Sequence, residues 1–560
     1  MRRKAARLSI LRGILMIGFG VLLARLGWVC LVNGHSLARR AVEQRSADAV
    51  VCLSRGPIFD RNMEPLVGGA SARLGPILEG EDFAHAVAIF PQSISGSPEN
   101  LQKLEAIVPG AQAGGPRVVR LPERHSEAIV KLAREVRGIV PIGIANRWSG
   151  LAAHVVGYLT GSQVGADGIE AAFEQILGGS QKGREVVRIM CDPNGRDIPG
   201  LGARLAVSGQ ARGWVRLSID SRVQAAAERA FDKRAPGSAG AVVVMDPWTG
   251  QVIAMVSRPS YDQNNVSSAL ARSDAPLLNR ALHPYYPGSV FKVVVAATAL
   301  AEGARTPESV YHDSGTIQAG GHLFKCHAQE RGGHGDITFR DAMAHSCNTA
   351  FVDTALSIGA TPIVDTARAL GIGSYDLTAS VRLPNASTGQ TPPRGRRMAP
   401  AELANFALGQ SVVEMTPLEA AVMMSAVANG GILRRPTLVM ETFDSGLGGK
   451  VEMRCDAVGT RVLDPDVALD LKSMLSAVVS YGTAEATLGG RNAAGKTGTA
   501  QTGRIDGSGQ PIYNAWFVGF APQDRPRIVI TVLVEGSESG ADIAAPIFGD
   551  ICEQALELVD

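Results

Sequence analysis

The chain has 560 residues, 45% of them hydrophobic and 19% charged, with 55 basic against 53 acidic side chains and a net charge of +2. This composition excludes a disordered chain, which lacks apolar residues to bury, and at about 150 residues per domain it excludes a single small module. The balanced charge leaves no footprint for nucleic acid, and a mean hydropathy of +0.08 excludes repeated membrane spans.

One span is expected, at the start. Residues 1–12 carry Arg2, Arg3, Lys4, Arg7 and Arg12, and the run 13–32 is apolar apart from Arg25. About 20 such residues cross the hydrocarbon core, and the basic flank stays in the cytoplasm. Arg25 lies towards the distal end, where its stem carries the charge to the interface. No small-residue cleavage pattern follows Val32, where Asn33-Gly34-His35 leads into Ala38-Arg39-Arg40, so the run reads as an uncleaved anchor. The rest of the chain then lies outside the membrane.

The seven cysteines stand at 30, 52, 191, 326, 347, 455 and 552, with no C-x-x-C spacing. They read as scattered, mostly unpaired thiols, with neither a metal site nor a cofactor expected.

After the anchor, 35–45 reads as an amphipathic helix. The turn-rich segment Arg55-Gly56-Pro57-Ile58-Phe59-Asp60-Arg61-Asn62 predicts an ion pair between Arg55 and Asp60. Strand-like runs at 86–90 and 184–189 mix with a helical stretch at 125–136, and Gly165-x-x-Gly168-x-Glu170 opens a helix punctuated by glycine. The character changes near 215, giving a domain over 33–215 and another over 216–560. The second predicts a helix at 219–232, strands at 240–245 and 251–257 around the turn Asp246-Pro247-x-x-Gly250, and a helix opening at Pro287. Strands at 496–501, 514–520 and 527–534 precede a closing helix at 544–558. Strands at both ends with helices between them predict an α+β fold, one antiparallel sheet whose first and last parts pair.

Ser289-Val290-Phe291-Lys292 puts a hydroxyl and an amine one helical turn apart at a helix start, where they can share a proton. The helix N-terminus favours the negative oxygen that such a nucleophile creates. Ser346-Cys347-Asn348 offers a second hydroxyl and an amide, and Lys496-Thr497-Gly498-Thr499 a cation, two hydroxyls and a glycine. Each pattern, S-x-x-K, S-x-N and K-T-G, occurs once, in the order found in penicillin-interacting serine enzymes. Cys347, between two of these residues, is expected to be free, partly shielded and near the groove.

With these motifs, the anchor, the Arg55 to Arg61 element and the Trp516-Phe517-Val518-Gly519-Phe520 run, the chain resembles a class B penicillin-binding protein, a monofunctional peptidoglycan D,D-transpeptidase. Met63 departs from the glycine that many relatives carry there. The resemblance implies an elongated N-terminal pedestal for interaction or dimerisation, followed by a domain of the serine β-lactamase type. It implies D-Ala-D-Ala stem peptides as donors, β-lactams as inhibitors and a membrane glycosyltransferase of the SEDS family as partner, and it spans elongation, septation and spore formation. Ser289 is then the nucleophile and a low-titrating Lys292 its base, kept neutral by burial and by the charge of Lys496. Ser346 relays the proton to the leaving amine, Asn348 holds Lys292 and the substrate, and Thr497 and Thr499 meet the terminal carboxylate. Gly498 leaves the strand edge open to an added peptide strand, and the backbone amides of Ser289 and Thr499 form the oxyanion hole. Two rival readings are a serine β-lactamase, which gains nothing from an anchor and pedestal, and a non-catalytic scaffold, which has no need of an intact trio.

Overall fold

The computed structural model describes residues 2–53, 55–68, 72–74, 83–145, 147–160, 164–178, 184–208, 213–444, 450–453, 459–537 and 539–559. Cys455 lies outside them. The chain forms two compact units, one of Met1–Ser54, Ala70–Asn146 and Ser180–Gln210, the other of Arg55–Gly69, Arg147–Gly179 and Ala211–Asp560. The segments 55–69 and 147–179 fall inside the 33–215 stretch of sequence yet pack with the second unit.

The first unit opens with helix α1 (Arg2–Gly27), continued by a π-helical turn at Trp28–Val32. Within it Ile10–Val32, 23 residues of mean hydropathy 2.2 and wholly unburied, is long and apolar enough to cross a membrane. A helix at Gly34–Gln44 follows. Ser46–Leu53, Arg184–Met190 and Ala203–Ser208 make a three-stranded antiparallel sheet. A second, four-stranded sheet is built on Phe83–Ile89, whose Val87 and Ile89 meet Leu104, Ile129 and Leu132 from the helices Pro98–Ile107 and Ser126–Glu135.

In the second unit, helix α2 (Ser221–Arg234), capped by the Asp220 carboxylate, leads into strands β1 (Gly240–Met245) and β2 (Val252–Arg258). Helices α3 (Lys292–Ala301), α4 (Asn348–Ile358), α5 (Pro417–Ala428) and α6 (Pro465–Ser480) come next. Strands β3 (Ala494–Ile505), β4 (Pro511–Ala521) and β5 (Ile528–Glu535) and helix α7 (Ala545–Leu558) close the chain. The sheet order is β2-β1-β5-β4-β3, every pair antiparallel, so the first strand lies directly against the last: Gly240 pairs with Val534 and Val244 with Ile530. This is the α+β architecture expected.

Helices cover both faces, which is why β1 and β5 read as nearly continuous apolar runs, interrupted in β5 only by Thr531 before Glu535, instead of alternating ones. On β4, Phe517 packs against Phe548 of α7 with ring centroids 4.6 Å apart and the rings tilted by 56°, while Trp516, facing the other way, donates its indole N–H to Tyr286 O beside the Ser289 turn. Helix α5 is buried along its whole length, and its start is fixed by a capping box in which Thr416 and Glu419 exchange hydrogen bonds, with Pro417 in the first turn. Burial pushes the Glu419 carboxyl up, against the backbone N–H donors of Thr416, Gly389 and Gly373.

Arg55 does not pair with Asp60. Its buried guanidinium forks onto Glu170 Oε2 (2.6 Å) and Glu174 Oε2 (2.8 Å), and Arg147 holds the other oxygen of Glu170 at 2.7 Å. Asp60 turns the other way and accepts from the backbone of Asn62 and Glu64 and from the Ser221 hydroxyl. A guanidinium out of water needs planar, bidentate partners, and an aspartate already committed to a tight turn cannot supply them. Arg55→Ala is expected to cost on the order of 3 kcal/mol in chemical denaturation, because it strips a buried carboxylate of one partner. Arg55→Lys recovers only part of that loss, since an ammonium has no fork.

Candidate active site

The nucleophile candidate sits on a 3-10 turn, Gly288–Phe291, that runs straight into α3. Gly288 has φ +54, donates to Gly409 O at 3.0 Å, and lies so close to β3 that a Cβ would stand 2.5 Å from Thr499 O. Only glycine satisfies both demands. The following residue, Ser289, lines a groove of about 470 Å³ with Ser346, Asn348, Thr497, Gly498 and Thr499. Its hydroxyl makes no hydrogen bond to another described residue.

Lys292, the first residue of α3, is fully buried beside this groove. Its Nζ donates to Ser346 O (2.7 Å), Ser346 Oγ (3.1 Å) and Asn348 Oδ1 (2.7 Å), and lies 5.5 Å over the Phe351 ring. The two motifs are thus joined through one amine. Ser346 takes a left-handed φ of +55, and this bend aims both its carbonyl and its hydroxyl at Lys292. Asn348 opens α4 and is oriented by donating Nδ2 to Lys325 O at 3.0 Å. Burial lowers the Lys292 amine to about 8, with the thiols of Cys347 and Cys326 working in the opposite direction.

Lys496 is equally buried on edge strand β3, its Nζ donating to Thr497 O at 3.1 Å. Burial first, and then the charge of Lys292, hold it well below the usual lysine range. The expected lysine–lysine repulsion therefore falls on Lys496, while Lys292 is lowered by burial. Thr497 shares a 2.7 Å hydrogen bond with Thr483, which also lines the groove. Gly498 has a second reason to lack a side chain: a Cβ there would stand 2.9 Å from Val290 Cγ2 and 3.2 Å from Pro287 O, against the turn that carries Ser289.

Residues 240–553 match the family described as the penicillin binding protein transpeptidase domain. The chain belongs to this family, in its class B. Over 99% of its length it is 27% identical to stage V sporulation protein D of Bacillus subtilis, covering 85% of that protein. It is 33% identical to the peptidoglycan D,D-transpeptidase PbpA of Mycobacterium tuberculosis over 65% of this chain and 77% of PbpA. Among solved structures it superposes with a TM-score of 0.68 on a chain of a peptidoglycan synthase complex described as coordinating polymerization and crosslinking, at 24% identity and 99% coverage of both chains.

In this penicillin-binding protein Cys347 is not at the groove. Ser346 and Asn348 line it, whereas the intervening side chain turns inward, is wholly buried, and brings its Sγ to 3.8 Å from that of Cys326. With Asp313 and His334, these two thiols are the described residues best placed to hold a metal. Thr483 and His327 also line the groove, and neither belongs to a motif that spacing could single out. Gly288→Ala is expected to destabilise the fold by about 2 kcal/mol or more, through left-handed strain and the clash with Thr499. The same change displaces Ser289, so labelling by fluorescent penicillin falls at least tenfold in protein that remains folded.

Proposed function

We propose that the chain is a peptidoglycan D,D-transpeptidase that cross-links stem peptides through an acyl-enzyme on Ser289. The observation that carries this reading is Lys292: a buried amine lowered to about 8, bound to Ser346 and Asn348, one turn from a groove-lining serine whose hydroxyl bonds to no other described residue. In the reaction the Ser289 Oγ attacks the carbonyl of the penultimate D-Ala while neutral Lys292 takes its proton. The tetrahedral oxyanion is met by the backbone amides of Ser289 and Thr499. Collapse breaks the peptide bond, and Ser346 passes a proton to the departing D-Ala amine. An acceptor amine on a second stem peptide then attacks the ester, forms the cross-link and restores the serine. Thr497 and Thr499 hold the terminal carboxylate, Lys496 supplies positive potential, and Asn348 keeps Lys292 aimed.

The pedestal over 33–215, less the segments 55–69 and 147–179 that pack with the second unit, is assigned to interaction and the region 216–560 to transpeptidation. The basic N-terminus lies in the cytoplasm and the catalytic unit outside, with a SEDS-family glycosyltransferase as the membrane partner. A synthase complex among the structural neighbours supports that pairing. β-Lactams, which mimic the donor, acylate the same serine.

Intact-mass spectrometry and peptide mapping of the full-length protein with penicillin test this. A long-lived adduct on Ser289, absent from Ser289→Ala, is expected. Release within seconds indicates a β-lactamase, and no adduct on folded protein indicates a scaffold. Because the base must be unprotonated, the second-order acylation rate should fall about tenfold per pH unit below about 8 and level off above it.

A further inference from the structure

Gln501 and Tyr513 line the groove, and the next residue on each strand, Thr502 and Asn514, lines a separate cavity of about 420 Å³. Successive strand residues point to opposite faces, so the two sites lie back to back across the β3–β4 hairpin. The other walls of the cavity include Tyr285, Glu414, Arg504 and Glu535. Three of its side chains are uncommitted. Asn514 is only 7% exposed, yet its amide bonds to no other described residue. The backbone there is paired on both sides, with Ala500 and Glu535, so it is the side chain that meets the cavity. A buried amide without partners is unfavourable unless something else supplies them. Glu414, half-buried, is tied to Gln390 through the backbone alone, and Arg504 is exposed. Neither forms an ion pair with a described residue, nor do they pair with each other, although they share one cavity. Glu535 differs, because Arg280 Nε and the Tyr285 hydroxyl both donate to its Oε1 at 2.7 Å. Burial lowers the fourth titratable neighbour, His283, against the pull of Glu535 and Glu414, so its imidazole adds no second cation at neutral pH.

We propose that this cavity binds the ammonium-and-carboxylate end of an amino acid, with Glu414 on the ammonium, Arg504 on the carboxylate and Asn514 bonded to both. An amide suits the middle position, since Oδ1 accepts from an ammonium while Nδ2 donates to a carboxylate. A ligand that is only a cation leaves Arg504 unmatched, and one that is only an anion meets Glu414 and Glu535 as like charges. The cavity lies within the range of about 300–1,000 Å³ usual for small-molecule sites. Two sources carry this chemistry: the free D-Ala that the transpeptidase reaction releases, and the side chain of a diamino acid within a stem peptide. Both sources rest on the transpeptidase reading, whereas the chemistry of the cavity does not. Occupation also ties the hairpin down. The backbone of Tyr285 is stitched to Met415 by two hydrogen bonds, of 3.0 and 2.9 Å, beside Glu414. A ligand held between Glu414, Arg504 and Asn514 therefore joins the outer end of β3 and β4 to the segment that leads into Ser289.

The test titrates full-length protein in detergent, by calorimetry, with D-alanine and with meso-diaminopimelate. Cadaverine and pimelate, which carry only ammonium or only carboxylate groups, serve as comparison probes. The better of the two amino acids should bind at least tenfold more tightly than either comparison probe, because each lacks one of the two charge-assisted contacts. Tighter binding of D-alanine assigns the site to the released amino acid, and tighter binding of diaminopimelate assigns it to the stem-peptide side chain. Glu414→Gln, Arg504→Gln and Asn514→Leu should each weaken binding at least tenfold. In unaltered protein the bound amino acid should slow amide hydrogen exchange in peptides spanning 502–514, a readout that does not depend on any variant folding. Absence of binding up to about 10 mM overturns the site, as does equal binding of cadaverine or pimelate. Affinity unchanged in all three variants, unchanged exchange at 502–514, or binding abolished by prior acylation with penicillin overturns it as well. Failure of the transpeptidase reading shows instead as a missing penicillin adduct on Ser289, with binding at the cavity intact.

Discussion

A lysine amine taken out of water must replace every hydrogen bond it gives up, and the site around Lys292 is organised by that requirement. Its three donors go to a carbonyl, a hydroxyl and an amide oxygen, all drawn from the Ser346–Asn348 turn. Satisfying them takes a backbone bend unusual for serine and a helix that begins at Asn348. The apolar residues of α3 behind it exclude water, and that exclusion brings the amine into a range where it can give and take a proton near neutrality. Packing, local strain and proton affinity are here consequences of one buried nitrogen.

Lys496 follows the same logic from across the groove. Two buried cations near one another cannot both keep their protons at full strength, and it is the second that gives way further. The charge that Lys496 brings to the groove therefore depends on how its partner is charged. The ion-pair cluster of Arg55, Arg147, Glu170 and Glu174 shows the structural counterpart, where opposite charges are brought together and compensate one another.

Much of this was legible in the sequence because the signals are local. The strands at 240–245 and 528–535 stand out as short apolar runs between turns, and S-x-x-K places its two functional groups one turn apart whatever the rest of the chain does. What stayed hidden depends on distance in the chain. Arg55 reads as the partner of the nearest acid, yet its carboxylates come from residues 170 and 174, because burial selects partners by geometry and not by proximity in sequence. The convergence of Asp313, Cys326, His334 and Cys347 has no motif spacing, since two hairpins and a helix start bring it together. Gly498 illustrates a half-legible case: its presence was plain, but its tight approach to Val290 and Pro287 appears only once the turn is seated on the strand.

The pairing of β1 with β5 has a consequence for the order in which this unit can be made. Its first strand finds its second neighbour only when the last strand exists, so a chain emerging from the ribosome must hold the β1–β2 hairpin and the α3 helix without the rest of their sheet until nearly the whole unit has followed. Such distant partners make closure slow and leave apolar strands exposed in the interval. The edge strand with Lys496 is also among the last parts to arrive, so the groove has no second wall before synthesis is almost complete. A chain cut short near its C-terminus therefore carries Ser289 and Lys292 but nothing for them to face, and the unit is chemically silent until it is whole.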